Sequence, residues 1–202
     1  ERWFDGFVML ARAGGTGFVL DTATWRANMG WADALGLDEA GIRQVNADVI
    51  ALEEVESRGY LERFNKAMLA DMGYVHVVHY EGNDLRGIDC AVLSRFPVGT
   101  VTSYRHITFR DAQGRTRRFE RDLLRVEIKP TGGKEFDLFA IHLKSKGSGP
   151  ESDVQREAEA TAIRGILDDL HKQNAEARFV IGGDFNDTPG SRDKVVITPK
   201  VT

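Results

Sequence analysis

Short apolar runs alternate along the chain with helical patterns, and polar residues follow several of the runs. The run Val49–Leu52 is apolar throughout, which is typical of a strand buried on both faces, and Glu53 and Glu54 follow it directly. Similar apolar or alternating patterns predict strands at 18–25, 74–80, 88–93, 98–109, 118–128, 135–143 and 178–181. We therefore expect a strand-rich protein with polar side chains at several strand ends.

Helical spacing separates some of these strands. One helix is predicted from Ser57 to Gly73, because its apolar residues lie three and four positions apart; they are Leu61, Phe64, Met68 and Met72. A second is predicted at 33–45. A third begins with a capping-box pair, Ser152 and Gln155, and its predicted apolar stripe is Val154, Ala158, Ala162, Ile166 and Leu170.

The order of these elements predicts the fold class. Strands alternate with helices, and the segment 98–128 has the pattern of antiparallel strands around a turn at 111–114. This combination indicates an α/β (α+β) protein with a layered sandwich architecture. No linker-like stretch divides the 202 residues, so we expect a single domain.

Composition narrows the function classes. The one cysteine, Cys90, excludes an internal disulfide framework and a cysteine-rich zinc site. The net charge is −4, so nucleic-acid binding would need a local basic patch or a metal ion. No apolar run reaches the roughly 18 residues of a membrane span, and the first residues lack the pattern of an intact signal peptide. We expect no membrane span, and the location stays open between cytoplasm and secretion.

The most informative stretch is Arg178–Ser191, which reads RFVIGGDFNDTPGS. A short strand leads to two glycines, at which a sharp turn is predicted. Alternation then places Asp184 and Asn186 on one side of an extended segment. The alternative interpretation is ordinary turn chemistry, since GGD and NDTPG also shape loops without any function.

Polar residues at other strand ends favour a functional interpretation. If the sheets bring these ends together, a cluster of carboxylates with a histidine forms from Glu53, Glu54, Asp89, His142 and Asp184. Oxygen ligands suit a hard cation such as Mg²⁺ or Mn²⁺. A histidine beside such an ion suits work on a phosphate ester, because it can stabilise developing charge or pass a proton.

In this order the motifs ADVIALEEV, RGIDCAVLSRFP, FERDLLRVEI, FAIHLKSK and GGDFNDTPGS resemble the endonuclease/exonuclease/phosphatase superfamily, over about residues 22–191. The resemblance implies a four-layer sandwich of two mixed β-sheets flanked by helices. It also implies a phosphoric-ester hydrolase that depends on Mg²⁺ or Mn²⁺, with Ca²⁺ as an alternative cofactor.

The resemblance assigns roles to the residues on the first matching motifs. Glu54 matches the metal-binding glutamate of the family, and Glu53 stands where glutamine is usual. His142 matches the catalytic histidine that contacts the scissile phosphate. Asp89 matches, more loosely, the catalytic acid that orients this histidine, and a strand-end aspartate without that role is the alternative.

The remaining motifs imply further site residues. Asp184 matches the acid that positions the attacking water or its metal, and Asn186 matches an amide that contacts the phosphate. Arg121, Arg86 and Lys144 are the candidate substrate-binding cations. For the arginines, ordinary salt bridges are the alternative.

Two departures from the family pattern stand out. Arg26 occupies the position at which the first strand of the family carries asparagine after an aromatic residue. Nothing after Ser191 matches the late aspartate or the Ser-Asp-His motif of the family. We therefore expect a truncated or divergent member in which the last strands of the second sheet are missing.

Two functions follow from these patterns. The first is a phosphodiesterase, a nuclease acting on the phosphate backbone of DNA or RNA, with phosphomonoesters or phospholipid head groups as the alternative substrate class. The second is a catalytically impaired remnant that binds phosphate or nucleic acid through the arginine-rich segment Arg110–Arg125. Neither function calls for an obligate protein partner.

Overall fold

The computed structural model describes residues 8–14, 17–19, 42–43 and 45–187. Most of the predicted strand at 18–25 and of the predicted helix at 33–45 lies outside the described residues. The same holds for Arg26 and for the segment after residue 187, on which the prediction of missing last strands depends.

The described residues form strands and helices in a mixed order. The strands are β1 (Val8–Gly14), β2 (Gly17–Val19), β3 (Val49–Val55), β4 (His76–His79), β5 (Asp89–Ser94), β6 (Val98–Ser103), β7 (Phe109–Arg110), β8 (Thr116–Arg117), β9 (Leu123–Ile128), β10 (Phe136–His142) and β11 (Phe179–Asp184). The helices are α1 (Arg58–Met68) and α2 (Pro150–Gln173), with short 3₁₀ turns at Ala70–Met72 and Lys146–Ser148. No helix in the described part of the chain is long and apolar enough to cross a membrane.

The strands pair into two larger sheets and a small hairpin. The first sheet has the order β2-β1-β3-β5-β4 and is antiparallel in every pairing that the structure describes. The second has the order β11-β10-β9-β6 and is mixed, since β10 and β11 run parallel. Parallel neighbours need a crossover, and α2 supplies it between β10 and β11. Among the described strands, parallel pairing occurs in the second sheet.

Three apolar clusters stack these elements into four layers. Helix α1 packs on the outer face of the first sheet through Leu61 and Phe64. The central cluster lies between the two sheets and joins Val49, Ala51, Cys90 and Val92 to Leu124, Val126, Leu138 and Ala140. Helix α2 covers the outer face of the second sheet with Ala160, Ile163 and Leu167. The predicted four-layer sandwich is confirmed.

Helix α1 follows its sequence signals closely. Ser57 has extended backbone and its hydroxyl accepts a hydrogen bond from the Tyr60 amide, as an N-cap does. Gly73 ends the following 3₁₀ turn with φ +79°, a left-handed conformation that glycine adopts without strain. Because β4 starts three residues later, this turn decides where the helix returns to the sheet.

Helix α2 differs from the prediction at its start, and its buried face is wider than the predicted stripe. It begins at Pro150 with Gly149 as N-cap, so the expected capping box is wrong. Ser152 lies inside the helix, and Gln155 instead donates to the Arg118 carbonyl and to Glu159. The second sheet meets Ala160, Ile163 and Leu167, and the predicted residues Ala162, Ile166 and Leu170 pack partly buried against the same cluster.

The antiparallel segment 98–128 is more broken than the pattern predicts. Strands β6 and β9 pair in the second sheet, whereas β7 and β8 form a separate two-stranded hairpin around the predicted turn. Just after β6, the Tyr104 backbone amide donates to both the buried Asp122 carboxylate and the Leu123 carbonyl.

At Gly183, the backbone of β11 lies very close to β10 and to Glu53 of β3. The two glycines of the GGD motif do not form the predicted turn; they lie inside β11, which continues to Asp184. A Cβ at Gly183 would lie 1.9 Å from the Ile141 carbonyl oxygen and 2.6 Å from Glu53 Oε1. Its φ of +135° is also unsuited to other residues. Only glycine lets β11 approach both β10 and β3 here.

We predict that Gly183→Ala destabilises the protein by about 2 kcal/mol or more, because the methyl group forces β11 away from its neighbours. Urea unfolding followed by circular dichroism measures the loss. The matched control is Gly165→Ala in α2, where an added Cβ meets nothing within 4 Å. That change should leave stability equal or raise it by up to about 1 kcal/mol, as alanine favours helix. Equal stability of Gly183→Ala and the unchanged protein would contradict the prediction.

Candidate active site

A β-bulge at the end of β3 orients the paired glutamates differently. The register of β3 on β5 shifts between Leu52 and Val55, and Glu54 has a left-handed φ of +61°. Glu53 is buried at 1% exposure, whereas the Glu54 side chain is 32% exposed. Bulges commonly turn a side chain toward a functional site at the cost of local strain. The bulge therefore gives one carboxylate to the core and the other to the surface above it.

Parallel pairing of β10 and β11 brings the second acid to the histidine. His142 and Asp184 are partners in the strand register. The His142 Nε2 atom lies 3.8 Å from Asp184 Oδ2 and 3.9 Å from Glu54 Oε1. The structure thus places Glu54 of one sheet and Asp184 of the other beside the same imidazole nitrogen.

Asn186 locks the turn that follows β11. Its φ is +49°, a left-handed conformation that asparagine tolerates better than most residues. The Asn186 backbone amide donates to Asp184 Oδ1 at 2.7 Å, and its side-chain amide donates to the Leu143 carbonyl at 2.8 Å. The first bond fixes the rotation of the Asp184 carboxylate, so Asp184 and Asn186 act as one rigid unit beside His142.

The environment of His142 keeps its imidazole neutral. Burial, followed by the positive charges of Arg121 and Arg86, lowers the pKa of His142 to about 4. The nearby carboxylate oxygens are beyond hydrogen-bond distance and do not reverse this effect. The Nδ1 atom has no hydrogen-bond partner among the described residues. Near neutral pH, His142 is therefore an uncharged group that can donate or accept one proton.

Two acids at this site, Glu53 and Asp184, have raised pKa values. The pKa of Glu53 is raised well above its usual value by burial first, and then by the charges of Asp184 and Glu54. The pKa of Asp184 is raised as well, mainly by burial. Carboxylates held this close favour a proton or a cation between them.

The donor set fits a hard divalent ion. Glu54 and Asp184 offer oxygen ligands, which Mg²⁺ and Mn²⁺ prefer, and both lie beside the same nitrogen of His142. Within the described ranges, no group of three His, Cys, Asp or Glu side chains already has the spacing of a metal site. The residues therefore fit such an ion in chemistry, with a pair of acids as the core of the site.

An arginine pair lies on the cationic side of the site. Asp84 accepts hydrogen bonds from Arg86, at 2.8 Å for the shorter one, and lies 3.3 Å from Arg121 Nε. The Arg86 hydrogen bond lowers the pKa of Asp84 to about 2. Arg121 is 2% exposed and also donates to the Leu143 carbonyl, whereas the Arg86 side chain is 64% exposed. Arg86 thus faces solvent and Arg121 acts from beneath.

Two predicted site residues have other partners in the structure. Asp89 is buried, lies 3.4 Å from His79 Nε2 and accepts the Gly82 amide, and no contact with His142 is found among the described residues. Its proposed orienting role is left without a contact that supports it. The Lys144 ammonium group forms an ion pair with the Glu120 carboxylate at 2.9 Å, so its positive charge is partly neutralised.

The arginine-rich segment is largely neutralised by its own acids. Arg115 and Arg117 both contact the buried Asp111 at 2.8 Å and also pair with Glu151 on α2. Arg125 forms a 2.7 Å ion pair with Asp137 of β10. These contacts fasten the small hairpin to α2 and hold β9 against β10.

Sequence reasoning missed Asp84 and the burial of Glu53. The two arginine partners of Asp84 lie at short and long range along the chain, at Arg86 and Arg121. Only the short-range partner, in the sequence DLR, could have been found from spacing. Glu53 was noticed as a departure from the usual glutamine, but its burial depends on the β3 bulge.

Comparisons with known proteins show the family of this chain. The model of the Endonuclease/Exonuclease/phosphatase family matches residues 34–198. The chain belongs to the endonuclease/exonuclease/phosphatase family. Members of this family are hydrolases that act on phosphoesters and generally depend on a divalent metal ion. No curated protein matches the sequence.

Solved structures share the fold at low sequence identity. The human nocturnin catalytic domain with a bound sulfate anion is 17% identical, with a TM-score of 0.58 over 94% of this chain and 68% of that one. An endonuclease/exonuclease/phosphatase from Beutenbergia cavernae is 23% identical, with a TM-score of 0.56 over 76% and 44%. Sphingomyelinase C from Streptomyces griseocarneus is 20% identical, with a TM-score of 0.54 over 73% and 54%. The chain thus spans about half the length of the last two.

We predict that His142 makes stability depend on pH in the acid range. Its folded pKa of about 4 lies below the usual 6.5, so the unfolded state takes up the proton first. Its contribution is present above pH 6.5 and is lost as pH falls toward 4, by roughly 3 kcal/mol. Urea unfolding in EDTA, compared between the unchanged protein and His142→Asn at pH 7 and pH 4.5, measures this term. Parallel losses in both proteins would count against it.

Proposed function

We propose that this chain is a metal-dependent phosphodiesterase that cleaves the phosphate backbone of a nucleic acid by in-line attack of water. The observation that carries the proposal is the position of Glu54 and Asp184, from different sheets, at 3.9 and 3.8 Å from the same nitrogen of His142. Two acids and a neutral imidazole in contact are the groups that hydrolysis of a phosphate diester needs.

A divalent ion bound at this site, Mg²⁺ or Mn²⁺, supplies charge stabilisation on the phosphoryl oxygens. Glu54 and Asp184 are the residues that would hold it, since both present carboxylate oxygens on the open side of the strand ends. Burial raises the pKa of Asp184, and a cation bound beside its carboxylate would favour the ionised form that binds metal.

The protein groups have distinct tasks in the proposed reaction. Asp184 has one oxygen held by the Asn186 amide, so its other oxygen is free to orient the attacking water and accept its proton. His142 is neutral and can donate a hydrogen bond from Nε2 to a phosphoryl oxygen as negative charge develops there. Asn186 donates one side-chain N–H to Leu143 and keeps a second for the phosphate.

The cations around the site suit a polyanionic substrate. Arg86 is exposed and is held in place by Asp84, which makes it the candidate for direct contact with a phosphate. Arg121 is too deeply buried for that contact and instead positions Asp84 while adding positive potential beneath the site. Lys144 stands at the rim, paired with Glu120. A neighbouring phosphate of a nucleic-acid strand would meet this charge outside the reacting centre.

Fold likeness alone leaves the substrate class open, since the similar structures include a sphingomyelinase as well as a nuclease and phosphatase family member. The alternative function, a remnant that binds phosphate, has little support from the arginine-rich segment. Its arginines already form ion pairs: Arg115 with Glu151, Arg117 with Asp111 and Arg125 with Asp137. The catalytic reading is therefore preferred.

We predict that the chain hydrolyses bis(p-nitrophenyl) phosphate and nicks plasmid DNA with Mg²⁺ or Mn²⁺ and that EDTA stops both reactions. Asp184→Ala should lower the rate at least about 100-fold, because it removes a metal ligand and the group that orients water. The control is Asp168→Asn, which alters an exposed ion pair on α2 and should keep full activity. A folded chain with no turnover, or an Asp184→Ala variant with full turnover, would refute the proposal.

A substrate panel separates the chemical classes. We expect faster hydrolysis of bis(p-nitrophenyl) phosphate than of p-nitrophenyl phosphate or p-nitrophenyl phosphorylcholine, because the proposed site serves a diester within a polyanion. Arg86→Gln should raise KM for plasmid DNA more than for the small diester, since the exposed arginine serves the backbone. Preference for the phosphorylcholine ester would instead indicate a phospholipid head group, and preference for the monoester a phosphatase.

A further inference from the structure

Glu159 is a buried acid of α2 that joins two loops beside the active site. It is 1% exposed. Its Oε1 atom accepts the backbone amide of Glu120 at 3.0 Å, and its Oε2 atom accepts the backbone amide of Lys144 at 2.8 Å. The Gln155 side chain, one turn earlier on α2, also donates to Oε1, at 2.9 Å. One carboxylate thus connects two backbone positions that are 24 residues apart in the sequence.

The Lys144 amide belongs to a peptide unit that also holds two residues of the proposed site. The other end of this unit is the Leu143 carbonyl, which accepts the Asn186 side-chain amide at 2.8 Å and Arg121 Nη1 at 3.3 Å. Because a peptide unit is planar, fixing its N–H also fixes the direction of its C=O. An N–H that donates to a carboxylate polarises the carbonyl and makes it a stronger acceptor. Glu159 therefore sets the hydrogen bond that holds Asn186.

The Glu120 amide belongs to a second peptide unit of the same construction. Its other end is the Phe119 carbonyl, which accepts the Asn83 side-chain amide at 2.9 Å. The Asn83 backbone amide donates in turn to the Glu120 carbonyl at 3.1 Å. Asn83 directly precedes Asp84, the acid that pairs with the exposed arginine of the site. The same carboxylate of α2 is thus linked to the arginine side of the site.

The neighbours of Glu159 on α2 reinforce these contacts. Gln155 donates to the Arg118 carbonyl at 2.7 Å, and Arg156 donates to the Lys144 carbonyl at 3.2 Å. Burial raises the pKa of Glu159, and its three hydrogen bonds oppose that rise because they favour the ionised form. The apolar residues of α2 already cover the second sheet, so packing alone does not require a buried carboxylate at this position.

We propose that Glu159 is a positioning residue of the active site, which holds the peptide unit between Leu143 and Lys144 in the orientation that anchors Asn186 for the phosphate. The inference rests on the proposed function, because the role of Asn186 is the one proposed there. Glu159 acts through the backbone and does not contact the substrate. Because a displacement of about 1 Å at a reacting centre can lower a rate by about 100-fold, a rotated peptide unit is enough to impair the reaction.

The first test is steady-state hydrolysis of bis(p-nitrophenyl) phosphate by the whole chain, with each variant checked for folding by circular dichroism. Glu159→Gln keeps the shape but turns one oxygen into an amide group, which cannot accept the backbone N–H that it faces. We expect kcat to fall at least about tenfold and KM to change less than about threefold, since the substrate contacts remain. Glu159→Asp keeps both acceptors, one methylene short, and should recover part of the rate.

The matched control is Ile163→Val, which removes one methylene from a fully buried residue one turn further along α2. This change should lower the unfolding temperature and leave kcat unchanged, because it touches none of the polar contacts to the loops. An equal fall of kcat in Ile163→Val and Glu159→Gln would show general loosening of the helix and would overturn the inference.

A double-mutant cycle with Asn186→Ala tests whether Glu159 acts through Asn186. When Asn186 is already alanine, Glu159→Gln should lower kcat by less than about threefold, because the group that it positions is gone. The same fold-loss in both backgrounds would overturn the inference while the proposed function stands.

Proton exchange of the Asn186 side-chain amide gives a readout that needs no turnover. Its ¹⁵N NMR signal is assigned by its loss in Asn186→Ala. We expect exchange with solvent to become at least about fivefold faster in Glu159→Gln and to stay unchanged in Ile163→Val. Unaltered exchange in Glu159→Gln would overturn the inference. A chain without turnover that still shows the faster exchange would refute the proposed function, while the link between Glu159 and Asn186 would stand.

Discussion

The close approach of β11 to its neighbours at Gly183 is the constraint on which the site depends. A side chain there would collide with the Ile141 carbonyl and with Glu53, so the two sheets could not come as near to each other at this end. Because Asp184 is the next residue, the same contact sets the distance between the acid of the second sheet and Glu54 of the first. Packing of the backbone, rather than any bond between the acids, holds mutually repelling groups together.

Charge is distributed unevenly about His142 as a result. Glu54 and Asp184 lie beside the imidazole, and the positive charges of Arg121 and Arg86 act on the same group. The fold tolerates the two acids because they are carried by strands buried in the four-layer core, which supplies the stability that the site itself does not. A site of this kind gains from a bound cation and from an anionic phosphate at once.

Much of this arrangement could be predicted from the sequence, and what could not has physical reasons. The strand ends that carry Glu54, His142 and Asp184 follow from apolar runs, which local pattern reveals. The bulge that separates Glu53 from Glu54 is a matter of register against β5, and the pairing of Asp89 with His79 joins different strands. The glycines of β11 were expected to turn, but their smallness serves interstrand contact. Such features depend on neighbours distant in sequence.

The crossover through α2 has a consequence for the order of assembly. Strand β11 pairs with β10 only after a helix of 24 residues has been made, so the last acid of the site reaches its partners late in synthesis. Until then the hydrogen-bonding edge of β10 is open, and an open edge invites pairing with another chain. Contacts between such distant segments are slow to form. Helix α2 covers the face of the sheet, so the edge of β10 stays open until β11 pairs with it.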